Sequence, residues 1–317
     1  MKEIKNVIIC GLGAIGSALG EKILHTKPDT LKVLVDEERL KNYTNTPRVL
    51  NGNVLNFNYI TPDEQTYKAD LILIAVKSDA LNDVINNISN FVTDKTIIIS
   101  LLNGVTSEEK LATVYGWDKI LPAYYIGSSV VRVGEKITHD GRATIVFGAK
   151  DELAQHNVNE VRTYFESVNI NYKISDDIMR SLWAKFMLNV ACNQISAILG
   201  LTFGEMQQSE EFKSLAIKVM EEVLACAKAV GIKNTGTMIQ EVFEHIKTIT
   251  PSGKTSMLQD VEAGRKTEVD IFAGSVIEYG KKFGIPTPYN IMLKSMLDII
   301  YSKQKTQQSE THYKILQ

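Results

Sequence analysis

The sequence predicts an α/β N-terminal half followed by an all-α C-terminal half. Three observations lead there. A short β-branched run, Asn6 to Cys10, enters Gly11-Leu12-Gly13-Ala14-Ile15-Gly16 and then a helical pattern from Ala14 to His25. Apolar strand-type runs alternate with helical stretches as far as Ile174. After Asp176 only helical patterns remain. A chain of 317 residues suits two domains. The change of character divides it into 1-175, a dinucleotide-binding domain, and 176-317, a helical substrate and catalytic domain.

Composition excludes several classes of function. A net charge of −2 offers no electrostatic case for nucleic acid or an acidic membrane surface. No apolar run is long enough to span a bilayer. The lysines and apolar residues at the start mimic a signal peptide, but the glycine pattern accounts for them better. Three widely spaced cysteines, Cys10, Cys192 and Cys226, predict a reducing, cytoplasmic setting with no disulfide framework and no metal site.

Each element of the first half has a local reason. In G-x-G-x-x-G the first glycine makes a tight turn and the second lets a pyrophosphate approach the backbone. The third lets helix and strand pack closely, and the helix N-terminus supplies amide donors to the phosphates. Gly11, Leu12, Gly13, Ala14, Ile15 and Gly16 are therefore candidate cofactor contacts; the alternative is a structural glycine turn. Leu31 to Val35 is the second strand and ends at Asp36, twenty residues past Gly16. A carboxylate there can bind the adenosine ribose hydroxyls of NAD, and it would repel the 2′-phosphate of NADP. Arg39 and Lys41 lie just beyond and offer cations for that phosphate, and Asp36 can equally be a loop or cap residue. Asn51 to Ile60 is expected as one short strand, and Asp70 to Val76 as a buried parallel strand ending in Lys77. Thr96 to Leu102 is another such strand and ends in Asn103-Gly104. Lys77 and Asn103 thus share a sheet edge with the glycine loop, the edge where open α/β sheets bind ligands. A plain loop role for either stays open. Gly127 to Gly148 is β-rich, with turns at Val133-Gly134 and Asp140-Gly141. His139, beside the second turn, is favoured as a hydrogen-bonding structural group over a general acid. Asp151 to Val168 is expected as a helix and Ile170 to Ile174 as the last strand.

The second half is expected to be helical over Asp176–Leu199, Ser209–Val230, Thr237–Thr248, Lys266–Phe283 and Thr287–Ser302, with a polar tail that frays beyond Lys303. Ser181 to Gly200, SLWAKFMLNVACNQISAILG, is apolar on nearly every side, and such a helix is buried. Lys185, Asn189 and Asn193 interrupt it at intervals of four, which stacks them on one helical face. They face either a partner, as in a buried salt bridge, or a water-filled cleft. Glu268, in GRKTEVD, is either the carboxylate that such a lysine requires or a first-turn residue favoured by its helix dipole, with Thr267 as cap.

Taken together, these motifs resemble the ketopantoate reductases (2-dehydropantoate 2-reductases) over nearly the whole chain. The matching stretches are GLGAIG, AVK ending at Lys77, LNG around Asn103 and H-x-G-x-x-x-x-x-x-G from His139. W-x-K-x-x-x-N-x-x-x-N, SMLQD from Ser256, G-x-x-T-E-x-D and IPTPYN follow in order. The resemblance implies a Rossmann domain and an all-α domain like the C-terminal domain of 6-phosphogluconate dehydrogenase, with substrate in the cleft between them. It implies reduction of 2-dehydropantoate to pantoate by NADPH, on the route to pantothenate and coenzyme A. By motif match Lys185 takes the place of the general acid. Glu268 matches the carboxylate that engages the substrate hydroxyl end and the lysine, and counts among the cofactor contacts too. Asn189 and Asn193 match substrate-binding amides, and Ser256 the group near the substrate carboxylate. Asn103 matches a residue of both substrate and cofactor, and Lys77 one of the cofactor. Two positions depart from the pattern: Leu102 stands where glutamine is frequent, and Asp36 where NADPH-using members carry arginine or another phosphate-tolerant residue. NADP(H) is the cofactor that the resemblance implies, and Asp36 keeps NAD(H) open.

A lysine desolvated in a cleft has its pKa lowered toward working pH, which makes it a better acid for the alkoxide that hydride addition creates. A rival within the same chemistry is reduction of simpler branched 2-oxo acids, as by a 2-hydroxyacid dehydrogenase. A rival of another class is a dinucleotide-binding regulator without turnover, which needs neither Lys185 nor Glu268. The expected partner is a small 2-oxo acid, with a homodimer left open as the assembly.

Overall fold

The structure, a computed structural model, describes residues 3–127, 130–133, 136–139 and 141–315. It divides into two compact units, Met1–Met179 and Arg180–Gln317.

The first unit is built on a parallel sheet. Its elements begin β1 (Val7–Cys10), α1 (Ala14–Thr26), β2 (Leu31–Leu34) and α2 (Glu37–Asn45). They continue β3 (Arg48–Leu50), β4 (Asn53–Leu55), β5 (Tyr59–Ile60), β6 (Leu71–Ile74), α3 (Leu81–Asn87), β7 (Ile97–Ser100) and α4 (Ser107–Tyr115). The unit closes with β8 (Ala123–Ile126), β9 (Val130–Val133), β10 (Lys136–His139), β11 (Thr144–Phe147), α5 (Gln155–Ser167) and β12 (Tyr172–Ile174). The main sheet has the order β5-β2-β1-β6-β7, and all its pairings are parallel. Its strands are apolar on both faces because both faces are covered. Val7 and Ile9 enter one core cluster, and Ile8 and Cys10 the other.

Two smaller sheets complete this unit, β4-β3-β10-β9 and β12-β11-β8. The first corrects the single strand expected over Asn51–Ile60. Asn51 and Gly52 have φ of 48° and 86°, so they form a tight turn between β3 and β4, and the chain re-enters the main sheet only at β5. Two successive positive φ values are what a two-residue hairpin turn requires, and Asn-Gly is its strongest sequence signal. Of the turns expected at Val133-Gly134 and Asp140-Gly141, Gly134 and Asp140 lie outside the described residues. Asp151 accepts from the Leu153 N–H at 3.0 Å and opens the turn that leads into α5.

The second unit is all helical. It comprises α6 (Ile178–Leu188), a π-turn at Asn189–Asn193, α7 (Gln194–Leu199), α8 (Phe203–Gln208), α9 (Glu210–Val230) and α10 (Met238–Thr248). Then come α11 (Ser256–Glu262), a second π-turn at Asp270–Gly274, α12 (Ser275–Phe283) and α13 (Pro288–Ile315). Here the structure adds α8 and α11, which the sequence reading did not place, and departs from that reading in four further places. Asp176–Leu199 is not one α-helix but two, joined by the π-turn. Lys266–Val269 is not helical, and the second π-turn starts only at Asp270. The expected frayed tail is helix to Ile315, with Gln304 Nε2 donating to Val261 O at 2.8 Å. Leu199, counted as part of an all-round apolar surface, is 59 % exposed at the end of α7, where Gly200 (φ 72°) closes the helix.

Leu182, Trp183 and Phe186 to Ala197 are buried. Trp183 lies edge-on to Phe186 at 5.6 Å and tilts against Tyr279 at 5.4 Å. The first π-turn packs on α9 and against the second π-turn, and α7 packs on α11 and α13.

Candidate active site

The glycine loop has the stereochemistry that its spacing predicts. Gly11 has φ of 97°, and a Cβ there would meet Ala75 O at 2.7 Å and Val76 Cγ1 at 2.8 Å. At Gly16 a Cβ would fall 1.9 Å from Gly11 O, so only glycine lets α1 pack on the turn. Gly13 differs: its Cβ would meet only Ala75 O, at 4.0 Å. Among the described residues nothing crowds a Cβ at Gly13, so the backbone there is open to close approach of the kind a dinucleotide needs. Gly13 also caps α1 without a side-chain hydrogen bond, and the first turn of α1 carries no acid. Its N–H groups are therefore suited to an anion. The strand β1 that feeds this loop lies between β2 and β6, where the strand order reverses.

Asp36 follows β2 and caps α2. Its Oδ1 accepts from the Arg39 N–H at 2.7 Å, and its Oδ2 lies 3.3 Å from Arg39 Nη1. This is the cap role left open in the sequence, and it occupies Arg39, one of the two cations offered for a phosphate. Both side chains are about half exposed, so the pair itself adds little stability.

Lys77 is exposed beyond β6, and Asn103, partly buried, follows β7. With the glycine loop they stand at the carboxyl edge of three adjacent strands, β1, β6 and β7. Beside Asn103 lies a buried cluster that the sequence did not disclose. Ser100 Oγ donates to Ser107 Oγ at 2.8 Å, and Ser107 Oγ to Glu108 Oε2 at 2.9 Å. Burial pushes the Glu108 carboxyl up to about 7. The cluster ties the end of β7 to the start of α4, on either side of the Asn103-Gly104 loop.

His139 makes the hydrogen bonds expected of a structural group. Gly141 N–H donates to its Nδ1 at 2.9 Å, which assigns the proton to Nε2, 3.4 Å from Glu21 Oε2.

In the helical unit, Lys185 is half-buried and Asn189 and Asn193 are buried. Burial holds the Lys185 ammonium below the usual lysine range, opposed in part by the Cys192 thiol. The same burial pushes Cys192 up to about 12. His245 on α10, which the sequence reading passed over, also feels this lysine. Burial first, then the Lys185 charge, hold its imidazolium below the ordinary range. Asn189 opens the π-turn and Asn193 closes it, so a widened turn rather than a regular α-turn carries both.

Ser256 is brought to this place by tertiary contacts. Asn193 Nδ2 lies 3.5 Å from Ser256 Oγ, the outer limit of a hydrogen bond. Buried Ser196 Oγ bonds Thr255 Oγ1 at 2.6 Å, and Thr255 caps α11, whose first residue is Ser256. Glu268 precedes the second π-turn, and its carbonyl accepts from Ile271 N and Phe272 N. That turn packs on the one carrying Asn189 and Asn193.

The family model described as "Ketopantoate reductase PanE/ApbA" matches residues 7–152, and "Ketopantoate reductase PanE/ApbA C terminal" matches 177–300. The chain belongs to the ketopantoate reductase family. It is an oxidoreductase, as its resemblance implied. A 2-dehydropantoate 2-reductase of Pyrococcus horikoshii is 27 % identical over 294 residues, 92 % of this chain and 96 % of that protein. The solved 2-dehydropantoate 2-reductase of Geobacter metallireducens superposes with a TM-score of 0.78 at 24 % identity, covering 92 % of this chain and 99 % of that one. D-mandelate dehydrogenase, solved with NADH and anilino(oxo)acetate, has the same fold, with a TM-score of 0.83 at 19 % identity over 95 % of this chain and 99 % of that one. Within this family fold, no helix among the described residues is long and apolar enough to cross a membrane.

Proposed function

We propose that this protein reduces the ketone of 2-dehydropantoate to pantoate, with residues 1-175 holding the dinucleotide and 176-317 the oxo acid. The observation that carries this reading is the half-buried Lys185, with its pKa pushed down, on a helix whose next turn holds two buried asparagines and meets Ser256. Curated relatives of that name, aligned over nearly the whole chain, support the substrate.

The glycine loop fits a dinucleotide, because Gly13 leaves open backbone at an uncapped helix N-terminus. Gly11 to Gly16 would cradle the pyrophosphate, with Asp36 toward the ribose and Lys77 and Asn103 toward the nicotinamide end. A reduced nicotinamide dinucleotide bound there supplies the hydride. The lysine's part is the proton: as the carbonyl carbon takes the hydride, the π-bond pair goes to the ketone oxygen, which takes a proton from the Lys185 ammonium and leaves a neutral amine. An ammonium with a lowered pKa gives up that proton more readily. Asn189, Asn193 and Ser256 orient the oxo acid without adding charge, and Glu268 holds Lys185 and the hydroxyl end. A cytoplasmic setting and assembly as a homodimer belong to the same proposal; sedimentation of the purified protein tests the latter.

The test is oxidation of NADH and NADPH against 2-dehydropantoate, 2-oxoisovalerate and 2-oxoisocaproate, with the wild type and Lys185→Ala. Turnover should be highest on 2-dehydropantoate. The variant should lose at least about a hundredfold in kcat, the low end for a general acid. Near-normal turnover by Lys185→Ala would reduce the lysine to a structural role, and a higher kcat/KM on 2-oxoisovalerate would reassign the substrate.

A further inference from the structure

Three buried polar side chains of the helical unit have no part in this chemistry: Glu222 on α9, Asn290 in the first turn of α13, and Gln194 at the end of the first π-turn. They are joined. Glu222 Oε1 accepts from Tyr289 N at 2.8 Å, and its Oε2 from Asn290 N at 3.0 Å and Asn290 Nδ2 at 2.7 Å. The carboxylate thus sits at the N-terminus of α13, where the helix dipole favours it. With Nδ2 committed, Asn290 presents Oδ1 to Gln194 Nε2 at 3.4 Å. Gln194 Nε2 in turn donates to Val190 O at 2.6 Å, inside the π-turn.

The last contact is the informative one. In an unbroken α-helix Val190 O would pair with the backbone N–H of Gln194. Here the side chain of the same residue reaches that carbonyl, at a place where the helix is widened. The direction of the chain is set by its ends, since a carboxylate only accepts and a carbonyl only accepts. The amides between them therefore have one arrangement. Gln194 Oε1 is left buried without a partner among the described residues. A methionine of the same length would avoid that loss, so the use of this glutamine lies in what its Nε2 holds.

We propose that Glu222, Asn290 and Gln194 form a positioning chain that holds the π-turn Asn189–Asn193, and so sets the placement of its two asparagine amides. This rests on the reading of those amides as the oxo-acid contacts. Gln194 is then a positioning residue that acts through Val190 O on residues it does not bind.

The experiment compares Gln194→Met, Asn290→Ala, their double variant and Asn193→Ala. It reads KM for 2-dehydropantoate, KM for the dinucleotide, kcat and the melting temperature. Each of the first two variants should raise the oxo-acid KM about tenfold, short of the roughly hundredfold that a 1 Å misplacement costs. KM for the dinucleotide should stay within about twofold, since ground-state binding of one substrate alone is lost. The double variant should be little worse than the worse single one, because both act through one turn. A lower melting temperature with unchanged oxo-acid KM overturns the proposal, as the chain would then serve stability only. So does a Gln194→Met that fails to fold beside an Asn290→Ala of ordinary KM. An Asn193→Ala of unchanged KM would instead remove the reading beneath it, whereas a raised KM there with an unchanged one in Gln194→Met removes this inference alone.

Discussion

Glu108→Gln should flatten the pH dependence of stability in the first unit. Glu108 is 1 % exposed, and burial raises its carboxyl pKa from 4.5 to about 7 against the opposing hydrogen bonds from its own backbone and Ser107. A carboxyl raised in the fold holds its proton more tightly folded than unfolded. Its stabilising contribution is therefore complete below about 4.5 and is lost as pH climbs through about 7. At 1.36 kcal/mol per pH unit, the step from 4.5 to about 7 is worth about 3 kcal/mol. Glutamine is neutral at every pH, and all other titrating groups are common to both proteins. The stability of the variant relative to wild type should then rise by about 3 kcal/mol between pH 4 and pH 8. Urea unfolding at pH 4, 6 and 8, followed by a probe in the first unit, measures it. Two curves that run parallel across this range would show that Glu108 ionises without penalty, and the burial argument would fail.

Gly13→Ala should keep the wild-type melting temperature and raise the KM for the dinucleotide, whereas Gly16→Ala, with its Cβ 1.9 Å from Gly11 O, should unfold the loop and lower the melting temperature by several degrees. Thermal melts beside cofactor titrations separate the two. Asp36→Ser keeps a cap for α2 and releases Arg39, so stability should change by about 1 kcal/mol or less while kcat/KM for NADPH improves relative to NADH. An unchanged cofactor ratio would mean that the end of β2 does not face the ribose.

Much of the fold is legible locally. The alternating strands and helices of the first half, the glycine turn and the purely helical second half follow from periods of two and 3.6 and from residues that only one backbone conformation accepts. Gly11 and Gly16 are legible because a missing Cβ is a local constraint. The Asn51-Gly52 pair is an equally local signal, but the apolar positions around it also suit one strand.

Lys185, Asn189 and Asn193 stand out in the sequence by chemistry alone, since polar groups in an apolar helix need a reason. Their arrangement does not. A π-turn differs from an α-turn by one hydrogen-bond register, and no side-chain period announces it. What holds it is a contact from residue 194 back to residue 190, braced from residue 290 and residue 222. In the same way Ser256 meets Asn193 where α11 packs on α7, a contact that includes a Ser196–Thr255 bond across 59 positions. The sequence by itself determined which elements form and which side chains carry chemistry, because those depend on neighbours along the chain. The tertiary structure alone decided how the side chains meet, because hydrogen bonds between distant residues leave no period to read.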